Sequence, residues 1–158
     1  MTRKVWLRLV SVLQIAGSGL GIALLYLARD GDDNPIASLA FGVLFAASIV
    51  AGVGLWRSVP RGLAVSALFW LAQVLHLSTS SFVYRLWTGP AWEIFVDDGS
   101  PGYGLFCAFG FSFDFDVAAR PDRPFVAGIN LFAIAVLILL WRAVRATKPA
   151  TAPIEATR

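Results

Sequence analysis

The chain has 158 residues, of which 58% are hydrophobic and only 15% are charged. A soluble globular domain is about 45–50% apolar and about 25% charged, so this composition excludes a water-facing surface over most of the molecule. The net charge of +3 does not indicate nucleic-acid binding, because the basic residues flank apolar segments and form no single patch. One cysteine, Cys107, and one histidine, His76, provide neither a disulfide nor a metal-ligand set. We therefore expect an integral membrane protein with no metal and no cofactor.

Four uncharged apolar segments predict four membrane-spanning helices, at 9–28, 36–56, 62–84 and 125–141. As a helix the first is about 30 Å long, which matches the hydrocarbon core of a bilayer. A cleaved signal peptide is the alternative for this segment. Its apolar run exceeds the usual length of about 7–15 residues, and bulky Tyr26 occupies a position where cleavage requires a small residue. An anchored helix is favoured.

The predicted fold class is an all-α membrane protein, a four-helix transmembrane bundle with a small extracytoplasmic β-hairpin between the third and fourth helices. Residues 1–145 would form a single membrane domain. Residues 146–158 are rich in Thr, Ala and Pro and would form a disordered cytoplasmic tail. In the first helix, Gly17 and Gly21 predict close helix packing, either within one subunit or between subunits.

The basic residues are divided unequally between the two sides of these segments. Nine lie on one side: Arg3, Lys4, Arg8, Arg57, Arg61, Arg142, Arg145, Lys148 and Arg158. Four lie on the other: Arg29, Arg85, Arg120 and Arg123. Because Lys and Arg are enriched in cytoplasmic loops, both termini are predicted to be cytoplasmic, in a multi-pass protein of a bacterial-type inner (plasma) membrane.

The outer segment between the third and fourth predicted helices, 88–123, is too long for a simple connection and too apolar for a disordered one. Residues 105–117 alternate large apolar residues with small or acidic ones, which is typical of a β-strand. A short apolar run at 92–96 precedes a turn-like segment at 97–102, so we predict a β-hairpin. An isolated hairpin is only marginally stable in water, so its aromatic face needs cover.

That cover would come from the helices of the same chain, from the lipid headgroup zone or from another subunit. The hairpin could also serve as a lid over a ligand or substrate. The predicted interaction face consists of Phe109, Phe111, Phe113 and Phe115.

Polar residues within apolar spans are the usual functional residues of membrane proteins. Gln73, His76 and Ser80 share one face of the predicted third helix, and Asn130 lies at a similar depth in the fourth. They predict either a polar intramembrane site or interhelical hydrogen bonds worth about 0.6 kcal/mol each. No charged residue lies within a predicted span, so His76 would lack the acidic partner that a proton relay needs.

We expect a protein that acts by contact, as an accessory or structural subunit of a membrane assembly, and that is not an enzyme. No residue is assigned a catalytic role. Its partners would be the lipid bilayer and either a second copy or another membrane protein. The alternative is a small oligomeric channel or transporter with a polar path along the third helix.

Overall fold

The computed structural model describes residues 3–27, 35–99, 101–117 and 119–145. The elements in chain order are α1 (Arg3–Leu27), α2 (Pro35–Trp56), α3 (Pro60–Ala72), β1 (Leu75–Ser78), β2 (Val83–Asp97), β3 (Tyr103–Asp116), β4 (Val126–Asn130) and α4 (Leu131–Arg145). Over these residues the fold is α+β, with four helices and one antiparallel sheet of strand order β1-β4-β2-β3. The predicted tail, 146–158, lies outside the described residues.

The predicted all-α, four-helix, multi-pass bundle is wrong, because two of the four apolar segments are part helix and part strand. Segment 62–84 contains most of α3, then β1 and the start of β2, and segment 125–141 contains β4 and most of α4. Helices α3 and α4 have 13 and 15 residues, or about 20 and 22 Å, too short for a hydrocarbon core of about 30 Å. Of the described helices, α1 and α2 are long and apolar enough to cross a membrane, by length and composition.

A buried polar stripe joins α1 to α2 and α3. Ser11 Oγ donates to the Gly52 carbonyl at 2.6 Å, and Gln14 Nε2 donates to the Ser48 carbonyl at 2.9 Å. The indole of Trp70 donates to Gln14 Oε1 at 3.1 Å. These bonds satisfy polar groups that would otherwise be costly to bury. The small and polar residues of α1 therefore pack within one chain.

The sheet is sharply bent. The first two residues of β2 pair with β1 and its last five pair with β4, antiparallel in both cases. Because β1 and β4 are also antiparallel to each other, β2 must reverse direction between the two contacts. Between the two contacts lie Gly89, whose φ is 91°, and Pro90, and we assign the reversal to this pair because glycine adopts such a positive φ without strain. Gly110 of β3 lies opposite Gly89, so both strands bend together.

The predicted hairpin is present as β2 and β3, but it is longer than expected. Strand β2 begins at Val83, well before the predicted strand at 92–96, and the two strands pair continuously from Val83 with Asp116 to Val96 with Tyr103. We call residues 83–88 and 111–116 the proximal half of the hairpin, and residues 91–97 and 103–109 the distal half.

The proximal half packs against the helices. The Phe113 ring lies 5.0 Å from that of Phe41 and 6.3 Å from that of Phe45, between ring centroids. Leu86 is 2% exposed in the same core. A Cβ added to Gly17 of α1 would lie 2.8 Å from the Cβ of Thr88, so helix and strand approach closely there. This packing places the sheet beside the middle of α1.

Candidate functional site

A buried Glu–His–Arg cluster lies on the concave side of the bent sheet. His76 Nδ1 and Glu93 Oε1 are 2.5 Å apart, with side-chain exposures of 8% and 6%. Arg85 Nε donates to His76 Nε2 at 3.0 Å. Since Nε2 accepts this bond, the neutral ring carries its proton on Nδ1 and donates it to Glu93. The histidine is thus fixed in orientation between a carboxylate and a guanidinium.

The bend in β2 produces this cluster. Arg85 precedes the reversal at Gly89 and Glu93 follows it, and His76 comes from β1, which pairs with the start of β2. Gly128 of β4 lies directly opposite His76, and a Cβ at this position would overlap the Glu93 carboxylate. Glycine at 128 therefore leaves the space through which Glu93 reaches the imidazole.

A cavity of about 220 Å³ adjoins the cluster. Its lining residues are His76, Arg85, Trp87, Glu93, Phe95, Phe106 and Val126. The rings of Trp87 and Phe106 lie 5.6 Å apart, and the Arg85 guanidinium lies 5.5 Å from the Trp87 ring centre. The site combines apolar walls with a few convergent polar groups, a composition typical of small-molecule pockets.

The four predicted polar residues separate into different hydrogen-bond networks. Gln73 Oε1 accepts bonds from the Thr88 backbone N–H at 2.7 Å and the Thr88 hydroxyl at 3.3 Å. Asn130 Oδ1 accepts backbone N–H groups of Trp92, Phe132 and Ala133, and so caps the start of α4. Ser80 is exposed in the turn before β2. Of the four, His76 is the one that lines the cavity.

Two buried amide nitrogens lie at the base of the sheet. Gln73 Nε2 and Asn130 Nδ2 have no hydrogen-bond partner among the described residues. The Asn130 backbone N–H donates to the Val74 carbonyl at 2.8 Å, so the two residues lie on adjacent chain segments. Each unpaired buried donor costs about 1–3 kcal/mol.

The predicted aromatic face is divided by the bend. Phe113 is packed in the core, whereas Phe109 is 78% exposed and Phe115 is 39% exposed. For Phe111 the structure describes the backbone, which pairs with Thr88. Phe113 therefore contacts the helices, whereas Phe109, beyond the bend, extends away from them.

The distal half presents a continuous apolar row on its convex side. The row crosses all four described strands, and each residue is paired directly with the next. Its members and their exposures are Leu75 (60%), Ile129 (45%), Ile94 (52%) and Leu105 (68%). Strand β3 is the edge of the sheet, so its outer backbone groups pair with no strand in the described part of the chain. An apolar face next to an open edge is a typical protein-interaction surface.

Sequence reasoning missed Glu93 and Arg85 as partners of His76. The sequence predicts a third helix that contains His76 and ends at residue 84. Arg85 and Glu93 follow that helix in the outer segment, so the prediction does not bring them near the histidine. The available signals were the alternation Leu75-His76-Leu77-Ser78, which has the period of a strand, and an acidic residue at the centre of the apolar run 92–96.

No match to this chain was found among protein-family models, curated proteins or solved structures.

Proposed function

We propose that this chain is a non-enzymatic inner-membrane protein, anchored by α1 and α2, that acts by contact as a structural subunit, and that its direct partner is a second copy. The supporting observation is the exposed row Leu75, Ile129, Ile94 and Leu105 beside the open edge of β3. Such an apolar surface next to unpaired backbone groups is stabilised when another strand covers it.

The distribution of charge supports an orientation with the start of α1 in the cytoplasm. The Arg8 guanidinium lies 5.2 Å from the ring centre of Trp56, at the end of α2, and that of Arg145 lies 3.7 Å from the ring centre of Trp141, at the end of α4. Residues from the start of α1 and the end of α4 line one surface cavity, so these ends are neighbours. Basic residues and Trp at one boundary are typical of the cytoplasmic interface.

The depth of the sheet follows from the lengths of α3 and β1. Helix α3 starts at this basic end and extends about 20 Å, and the four residues of β1, of which Leu75 is the first, add about 13 Å beyond it. The exposed row begins at Leu75 and therefore lies about two thirds of the way across a hydrocarbon core of about 30 Å, whereas the far end of β1 lies near its outer boundary. At this depth an unpaired sheet edge is strongly unfavourable in lipid, so it must be covered by protein.

A second copy fits this edge better than an unrelated chain. Strand β3 contains neither Lys nor Pro, the residues that commonly block edge pairing. Two identical edges related by a two-fold axis pair antiparallel, which continues the pattern already present in the sheet. The contact would be the same surface on both subunits.

The mass of the purified protein in mild detergent tests this proposal. We expect a dimer for the wild type, and a monomer after Leu105→Ser combined with Phe109→Ser in the distal half. Val117→Ser is the matched control, because Val117 is 68% exposed but lies beyond the end of β3. A monomeric wild type, or a dimer that the double substitution leaves intact, contradicts the proposal.

The alternative of an oligomeric channel has weaker support. Gln73, His76, Ser80 and Asn130 were expected to line one polar path, but they belong to separate networks and Ser80 lies in an exposed turn.

A further inference from the structure

We infer that the cavity beside His76 binds a small organic anion, a monocarboxylate with a compact apolar body. This inference is independent of dimer formation, because the cavity lies on the concave side of the sheet and the proposed contact lies on the convex side. The inference depends on the volume of the cavity, on the terminal nitrogens of the Arg85 guanidinium and on the charge of the Glu93 carboxylate.

The cavity has the size of a small molecule. Its volume of about 220 Å³ exceeds that of an apolar protein cavity of about 150 Å³ that binds benzene. Trp87, Phe95, Phe106 and Val126 form its apolar walls. Burying an apolar group against such walls is favourable, whereas a fully polar ligand would lose hydration without replacement.

Arg85 provides the recognition group for an anion. Its Nε donates to His76, and its two terminal nitrogens make no hydrogen bond to any described residue. Asp114 lies opposite Arg85 in the register, but it is exposed and forms no ion pair with this guanidinium. The hydrogen bond to His76 and the contact with Trp87 hold the side chain in place. A guanidinium fixed in this way presents two parallel N–H groups, which match the two oxygens of a carboxylate.

Glu93 restricts the charge of the ligand. Its carboxylate is buried at the floor of the cavity and is 2.5 Å from His76. A doubly charged phosphate would be repelled by this carboxylate more strongly than a monocarboxylate, because one arginine offsets one negative charge. Glu93 is already hydrogen-bonded to His76, whereas the terminal nitrogens of Arg85 are open to the cavity, so an anion finds a partner there and a cation does not. The arrangement therefore favours a monoanion.

Binding of benzoate to the purified full-length protein, measured by isothermal titration calorimetry, tests the inference. Benzamide, a neutral analogue of the same shape, and phenylphosphate, a dianion near pH 8, are the comparison probes. We expect wild-type protein to bind benzoate at least ten-fold more tightly than either. No measurable benzoate binding, or equal affinity for benzamide, would overturn the inference.

Substitution of the arginine locates the site. Arg85→Gln should weaken benzoate binding at least ten-fold and leave benzamide binding unchanged. Arg120→Gln, at an arginine whose side chain is 63% exposed on the same outer segment, should change neither. If Arg85→Gln does not fold, Arg85→Lys keeps the charge without the planar fork and should still weaken binding. Unchanged benzoate affinity in both Arg85 variants would contradict the assignment, whatever the oligomeric state of the protein.

Discussion

The proximal and distal halves of the β2–β3 hairpin have the same alternating sequence pattern, but the first packs against the helices and the second is exposed. In the proximal half Phe113 packs against Phe41 and Phe45. In the distal half Phe109, four residues earlier and on the same face, is 78% exposed. The bend at Gly89 and Gly110 separates them, because it directs one half towards the helices and the other away. Alternation thus specifies which residues share a face, and the bend decides which part of that face is covered.

The largest expected effect comes from truncating the two phenylalanines. Phe113→Ala removes a partly buried ring that packs against the core and should lower the free energy of unfolding by about 2–3 kcal/mol, less than the roughly 3–5 kcal/mol for a fully buried phenylalanine. Phe109→Ala removes an exposed ring from the same face and should change the stability of the subunit by about 0.5 kcal/mol or less. Unfolding in mixed micelles, measured on both variants as monomers, checks the difference.

Equal losses of stability in Phe113→Ala and Phe109→Ala would contradict the division of the hairpin into a covered half and an open half. The two single variants also separate the two roles, since Phe109→Ala should affect the mass of the dimer and Phe113→Ala should affect the stability of the subunit.

The bend itself is tested by its two opposed glycines. Gly89→Ala forces a side chain onto a backbone with φ of 91° and should cost about 1–2 kcal/mol. Gly110→Ala is the matched control, because a Cβ there would meet nothing within 4 Å. Thermal unfolding curves should show a lower midpoint for the first variant only. A similar midpoint for both would show that the positive φ does not restrict residue 89.

The smallest expected effect concerns two tyrosines at alkaline pH. Burial raises the pKa of Tyr84, in the proximal half, above 10.0, and its hydroxyl donates to the Ala72 carbonyl. The unfolded chain therefore releases this proton at a lower pH than the folded chain. The free energy of unfolding should fall as the pH rises above about 10, and be unaffected by this group below it.

Tyr84→Phe should reduce this alkaline loss of stability. Tyr103→Phe, at a tyrosine of the distal half that is 70% exposed, should leave it unchanged. Denaturant titrations between about pH 8 and about pH 11 measure both slopes. The same slope in wild type and Tyr84→Phe would mean that another group is responsible.

Parts of this structure were accessible from the sequence. The period of two at 105–117 predicted β3, and the apolar lengths of the first two segments predicted α1 and α2. Hydropathy failed at 62–84 and 125–141, because it reports that a segment is apolar and not which conformation it adopts. Gly128 and the alternation around His76 favour strands, but both lie within uninterrupted apolar segments that also fit a membrane-spanning helix.

The site could be predicted only in part. His76 was recognised because a histidine within an apolar segment is unusual, but its partners depend on tertiary structure. Glu93 reaches it only because β2 reverses at Gly89 and Gly128 has no side chain. Neither condition can be derived from spacing along the chain, since a reversal within one strand has no periodic signature.

The strand order has a consequence for how the protein is made. Strand β4 is the last strand in the sequence, yet it lies between β1 and the distal end of β2. The ribosome completes β1, β2 and β3 before residues 126–130 exist, so the nascent sheet has two unpaired inner edges until the final strand inserts between them. A chain truncated before residue 126 would therefore keep two unpaired strand edges, the kind of surface that pairs with other chains.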